Sequence, residues 1–141
     1  MTWFYKNNEF TEEQVGAFKA FVYCITNLES GRKYVGKKKL LFKKTKTVKK
    51  KKLKFLAPSD WQDYYGSSQE LKDDVEALGK EKFRREILHL CLSPAESSYL
   101  ELYEQITRNA LLSNDYYNNF VGARIHRNHV KKLIEEYNVS N

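Results

Sequence analysis

The stretch FVYCITNLESGRKYVGKKK, Phe21 to Lys39, decides the reading of this chain. It holds two tyrosine-centred apolar segments with turn chemistry between them. Lys19 to Thr26 is rich in β-branched and aromatic residues and reads as a strand. Asn27-Leu28-Glu29-Ser30-Gly31 is a turn, with Gly31 able to supply a positive φ. Arg32 to Lys38 reads as the returning strand of an antiparallel hairpin. Side chains alternate faces along a strand, so Phe21, Tyr23 and Ile25 point together, as do Tyr34, Gly36 and Lys38, while Val35 and Lys37 point the other way. Pairing across the turn can place Tyr23 and Tyr34 on one surface with Lys38 beyond them, and Gly36 leaves space for close approach to the backbone. Two phenols, an ammonium and a gap suit a phosphodiester. Taken alone, ordinary strand aromatics explain the pair equally well in a chain with ten tyrosines.

The charge is concentrated in one place. Between Lys37 and Lys54 there are eleven lysines and no acid, so this segment carries +11 against a total of +7, and the remainder carries −4. Such a block attracts a polyanion or an anionic membrane surface. It also contains Leu40, Leu41, Phe42, Val48, Leu53 and Phe55, closed by Pro58, which predicts a basic flap or excursion rather than a regular element. Phe42 and Phe55 would either stack on bases or, in the preferred reading, pin that flap to the core. It lacks the one-sided polarity of an interfacial helix, which disfavours a lipid partner.

The 141 residues predict one domain, 1–141. No apolar run approaches the ~20 residues that span a bilayer, and the first residues do not resemble a secretory leader. Cys24 and Cys91 lie in predicted strands without CxxC spacing, which suits buried free thiols and an intracellular setting. Residues 1–17 read as a short helix or ordered tail, with Thr11-Glu12-Glu13-Gln14 as a helix start. Ser67-x-x-Glu70 is a capping box opening a helix with Leu71, Val75 and Leu78 on one face, and Gly79 stops it. Phe83 to Leu92 predicts a third strand, burying Ile87, Leu88, Leu90 and Leu92. Ser93-Pro94-x-Glu96 opens a helix running to about Leu112, with Leu100, Tyr103, Ile106 or Thr107, and Ala110 at helical spacing. A loop at 114–119 and a basic helix from about Asn128 to Tyr137 follow. His126 and His129 lack a third ligand for a metal. The fold class is α/β in the α+β sense: a small three-stranded antiparallel sheet flanked by helices, with a lysine-rich insertion at 37–57 after the second strand and a basic extension at 120–141.

Val22-Tyr23, then ten residues, then Tyr34-Val35-Gly36 resembles the two halves of the signature of the GIY-YIG nuclease superfamily. The order continues through Ser67-Ser68, the helix ending at Gly79, Phe83 leading into Glu86-Ile87-Leu88, Glu101 in SYLELYEQ and Asn118 in DYYNN. The resemblance covers roughly Phe21 to Asn119 and is similar to the homing-endonuclease-like branch. YVGKK, SDWQDYYGSS and the segment Ala123-Arg124-Ile125-His126-Arg127 resemble a phage-encoded group within it. Two positions depart from the pattern. Phe21 stands at the first glycine, and the arginine expected soon after YVG has no clear counterpart. Lys38 is the chosen substitute, with Lys44 or Lys54 as alternatives if the insertion folds back.

The resemblance implies a metal-dependent DNA endonuclease that hydrolyses phosphodiester bonds. In it Glu101 holds Mg²⁺ (or Mn²⁺), Tyr23 takes a proton from the attacking water, Tyr34 orients that water or a phosphate oxygen, and Lys38 stabilises phosphate charge. A phenol of ordinary pKa near ~10 needs a positive neighbour to act as a base. Lys37, Lys39, Lys43, Lys44, Lys49, Lys50, Lys51, Lys52, Lys54, Arg124 and Arg127 would contact nucleic acid, and Asn118 would brace its loop or touch phosphate. The partner is DNA, duplex or branched, with no membrane; a homodimer is an open route to specificity. The location would be the host cytoplasm if the chain is phage-encoded. The competing reading is a non-catalytic nucleic-acid-binding protein on the same fold.

Overall fold

A computed structural model describes residues 2–122 and 125–140. Its strands and α-helices follow in this order: β1 (Trp3–Tyr5), β2 (Asn8–Phe10), β3 (Ala20–Asn27), β4 (Lys33–Lys39), β5 (Leu41–Val48), β6 (Lys51–Pro58), α1 (Gln69–Leu78), β7 (Phe83–Cys91), α2 (Pro94–Thr107), β8 (Phe120–Val121), β9 (Ile125–His126) and α3 (Lys131–Ser140). The Asn27–Arg32 turn closes the expected hairpin, pairing Tyr23 with Gly36 and Ile25 with Tyr34. β7 adds to the other side of β3, also antiparallel.

The sheet has five strands rather than three, in the order β2-β1-β7-β3-β4. β1 joins β7 in parallel and turns back into β2, where a helix or tail was expected. Burial of Trp3 drives this: its ring packs edge-on against Phe21 and Tyr23, and its indole Nε1 donates to the Trp61 carbonyl at 2.7 Å. The predicted helix start at Thr11 is a single 3-10 turn.

One sheet face carries Phe21, Tyr23, Ile25 and Tyr34 beneath α1 and the 59–68 segment; the other carries Val22, Cys24, Val35 and Cys91 against Leu100 of α2. Both cysteines are free and buried. β7 stops at Cys91, so Leu92, expected inside, is exposed. α1 is capped by Ser68, whose side chain accepts from the Leu71 N–H at 3.3 Å, one residue later than the predicted box. α2 begins as expected at Ser93 and Pro94 but ends at Thr107. Its inward face differs from the apolar one expected. Ser97 and Gln105 are buried, while Tyr103 is 53% and Ile106 57% exposed.

The lysine block is a regular hairpin, not an irregular flap. β5 and β6 pair from Leu41 with Pro58 to Val48 with Lys51, and Lys49 and Lys50 form the two-residue turn at φ 50° and 64°. Two consecutive positive φ values match the twist of hairpin strands, a position where asparagine and glycine are usual. Phe42 lies at the root, 5.0 Å beneath the Lys38 ammonium, without joining the core clusters; Phe55 runs along the exposed arm with Lys46 5.7 Å over its ring. Among the described residues no helix is long and apolar enough to cross a membrane.

Arg85 of β7 ties the layers together. Its guanidinium is buried between Trp3 at 4.7 Å and Tyr65 at 4.3 Å, and donates to the carbonyls of Gln62 (2.9 Å) and Tyr64 (3.0 Å). Arg85→Ala strips both carbonyls and leaves a cavity, with an expected cost of about 3 kcal/mol. Urea unfolding monitored by tryptophan fluorescence measures it; a midpoint unchanged from wild type would show that the loop is held in other ways.

Candidate active site at the edge of the sheet

β4 is an edge strand, and its outward backbone groups have to be satisfied by something other than another strand. Four sets of partners do this in order along the edge. The Lys33 N–H donates to Asp115 O at 2.9 Å, and Tyr117 N–H donates to Lys33 O at 2.8 Å. Asn118 pairs with Val35 twice, its Oδ1 accepting from the N–H at 3.1 Å and its Nδ2 donating to the carbonyl at 2.8 Å. Gln105 Nε2 also donates to that carbonyl, at 3.0 Å. The Glu101 carboxylate lies beside the Lys37 N–H, which lowers its pKa, and Ser59 Oγ donates to Lys39 O at 2.5 Å. The edge therefore recruits α2 and the 113–119 loop by side chains.

That loop is fixed independently. Tyr117, buried under the Arg32 guanidinium at 4.0 Å, donates its hydroxyl to Asp74 at 2.7 Å and accepts from Asn27 Nδ2 at 3.0 Å. Asn118 is 2% exposed with its carboxamide committed to Val35. Of its two expected roles the geometry suits bracing the loop.

A pocket of about 260 Å³ opens at this edge, lined by Tyr23, Tyr34, Lys37, Ser67, Glu101 and Gln105 among others. The tyrosines come from one sheet face and Glu101 from the helix on the other. Gly36 makes the meeting possible. A Cβ there would lie 2.5 Å from the Tyr23 hydroxyl and 3.0 Å from Tyr34 Cε2, so the phenol crosses β4 where the side chain is missing. The gap expected for a ligand is thus filled by Tyr23 itself. The two phenol rings stand 6.2 Å apart, tilted by 40°. Tyr34 exchanges a 2.8 Å hydrogen bond with Ser67, the serine that the shifted helix cap leaves free.

Burial pushes the Tyr23 phenol well above its ordinary pKa, and Tyr34, Tyr64 and Glu101 add to the rise. Burial also raises Tyr34, against the opposing Ser67 hydrogen bond. Glu101, half-buried, is raised by desolvation and pulled back by the charge and N–H of Lys37. Two buried polar atoms of the pocket, Tyr23 Oη and Gln105 Oε1, have no hydrogen-bond partner among the described residues. Such atoms are costly to leave unmet. With the Glu101 carboxylate in the same lining, the pocket is rich in oxygen, which fits a hard divalent cation that keeps most of its waters. No group of three or more His, Cys, Asp or Glu forms a metal cluster among the described residues.

The other expected residues are scattered. Lys38 does share the Tyr34 face, but Asp60 holds its ammonium at 2.5 Å and the Tyr64 ring lies 4.2 Å below. The lysine that lines the pocket is Lys37, from the opposite face, where it donates to Ser98 Oγ at 2.6 Å. Lys39, Lys43 and Lys44 join Lys19 in a cleft of about 570 Å³ between the hairpin root and Pro94. Lys49, Lys50, Lys51, Lys52 and Lys54 stand exposed on the outer arm, and Lys54 is no nearer a catalytic role. Arg127 spends its guanidinium on the Leu111 and Ser113 carbonyls and Asn114 Oδ1, at 2.8, 3.2 and 3.2 Å. Arg124 lies outside the described residues. Lys37 was expected as a nucleic-acid contact and Ser67 as a helix cap, and both line the pocket instead; Gln105, one helical turn after Glu101, was not singled out in the sequence.

Gly36→Ala forces the Tyr23 phenol aside and is expected to cost on the order of 1–3 kcal/mol. Its near-UV circular dichroism should change with the displaced ring. A variant with the wild-type spectrum and melting temperature would show that the crossing has slack.

A family model described as "Putative endonuclease segE, GIY-YIG domain" matches residues 3–121, most of the chain. No curated protein and no solved structure matched.

Proposed function

Since the chain belongs to the GIY-YIG nuclease superfamily, we propose that it is a metal-dependent endonuclease hydrolysing DNA phosphodiester bonds at the β4 edge. The observation that carries this reading is the convergence of Tyr23, Tyr34, Lys37 and Glu101 on one pocket from both sides of the sheet. Glu101 and its oxygen neighbours hold Mg²⁺ (or Mn²⁺), which when bound stabilises charge on the phosphate and the leaving oxygen.

Tyr23 lines the pocket with a buried hydroxyl, and when substrate opens the site that hydroxyl takes the side of the attacking water; Tyr34, steadied by Ser67, orients that water or a phosphate oxygen. As water adds to phosphorus and the bond to the leaving oxygen breaks, Tyr23 Oη receives the water proton. Burial opposes ionisation of that phenol, so the step calls for added positive charge; a bound cation would supply it, and Lys37 is the lysine that lines the pocket. Lys37 takes the place of the family arginine as a point charge, without the bidentate fork.

The β5–β6 arm supplies affinity. Its lysines and the cleft at its root form a cationic surface that binds backbone phosphates and releases counterions. A rigid two-stranded ribbon has the width to enter the major groove of a duplex. A phage source, a homing role and a cytoplasmic location belong to the same reading.

Incubation with supercoiled plasmid at low salt tests the chemistry. The wild type is expected to nick or linearise DNA with Mg²⁺ and to be silent with chelator. Glu101→Ala should abolish cleavage, Tyr23→Phe should slow it by about 10²-fold or more, and Lys37→Ala should cost more than Lys38→Ala. Retardation without cleavage across several metals and branched substrates would instead identify a non-catalytic binder on the same scaffold. Replacing Lys49, Lys50, Lys51 and Lys52 with serine is expected to flatten the dependence of log affinity on log salt by roughly 0.9 for each phosphate that is no longer neutralised. An unchanged slope in fluorescence anisotropy titrations would place the DNA away from the arm.

A further inference from the structure

Gln105 lines the pocket, and its buried Oε1 is used neither by the fold nor by the proposed proton transfer. We infer that Gln105 is the second protein ligand of the cation site built on Glu101, contributing a neutral amide oxygen. This rests on the metal-dependent reading above and specifies it.

The orientation of the amide is fixed. Gln105 is 4% exposed, and its Nε2 donates to Val35 O at 3.0 Å, so the oxygen is the atom turned the other way. That oxygen is fully buried and has no partner among the described residues. The hydrogen bond that fixes the amide is not required by its acceptor, because Val35 O already receives Asn118 Nδ2 at 2.8 Å. An apolar side chain of the same size would therefore serve the fold at least as well. Gln105 also stands four residues after Glu101 on α2, which places the two side chains side by side on one helix face, and both line the same pocket.

The neighbouring carboxylate is already committed. Glu104 accepts from Arg108 Nε at 3.0 Å on one oxygen and lies 3.0 Å from His89 Nε2 on the other. One carboxylate and one amide carbonyl, with water completing the shell, is a donor set suited to Mg²⁺ or Mn²⁺. The amide adds an oxygen without adding charge.

Mn²⁺ binding followed by electron paramagnetic resonance, without DNA, tests the assignment independently of cleavage. Wild type, Glu101→Ala, Gln105→Leu and Gln105→Asn are titrated, and each is melted in chelator. Gln105→Leu is expected to weaken Mn²⁺ binding by about tenfold or more while its metal-free melting temperature stays level or rises. A merely structural glutamine would give the opposite pair of results. Gln105→Asn withdraws the oxygen by one methylene, keeps the amide, and should weaken binding similarly, which covers the case of a leucine variant that fails to fold. If Glu101→Ala loses the ion while both Gln105 variants bind it like wild type, the assignment of Gln105 is wrong and the Glu101 site stands. If the wild type shows no Glu101-dependent Mn²⁺ site, the metal-dependent reading falls with it.

Discussion

The open edge of β4 is the constraint on which the rest of the structure depends. An edge strand buried against a helix and a loop cannot leave its amides and carbonyls unmet, since each orphan costs about 1–3 kcal/mol. Here the partners are Asp115, Tyr117, Asn118, Gln105, Glu101 and Ser59. Four of these six act through their side chains, and polar side chains brought to an edge can also face outward into a pocket. Glu101 and Gln105 both line the pocket, and Gln105 bonds Val35 O through its nitrogen while its oxygen has no partner among the described residues. Sheet closure and the chemical site use the same residues.

The opposite face solves a different problem, that of holding an irregular segment in place. Residues 59–68 have little regular structure, yet they carry Trp61, Tyr64 and Tyr65 into the core. Trp3 and Arg85 bind their carbonyls, so the N-terminal strands act on the site at one remove. Through them Ser67 is set against Tyr34. The short strands β1 and β2 are thus part of the apparatus that positions a phenol.

Much of this was legible. The spacing of Tyr23 and Tyr34, the turn at Asn27–Gly31, the cap at Ser93-Pro94 and the family order up to Asn118 all appear in the described fold. Alternation correctly assigned faces, but it does not say which lysine lines the pocket. Lys38 shares the Tyr34 face and is held by Asp60, whereas the pocket wraps around the sheet edge and admits Lys37 from the other side. Strand periodicity contains no information about which strand is an edge. Apolar spacing likewise chose Tyr103 and Ile106 as the inner face of α2, when the inner face is partly polar because it serves the edge. Three-residue strands are too short to show alternation, and Lys49-Lys50 lacks the Asn-Gly signature of a two-residue turn.

The lysine arm has a further property that follows from its isolation. β5 and β6 pair only with each other, in register from root to tip. Residues can be added or removed only in cross-strand couples if that register is to survive, and each couple changes the reach by about 3.3 Å. Each couple also exchanges which side of the ribbon the tip presents, because side chains alternate. The arm is therefore a part that can be lengthened or shortened in discrete steps without disturbing the five-stranded sheet. Evolution can retune how far a cluster of lysines stands from the β4 edge, and on which side, while leaving the pocket untouched.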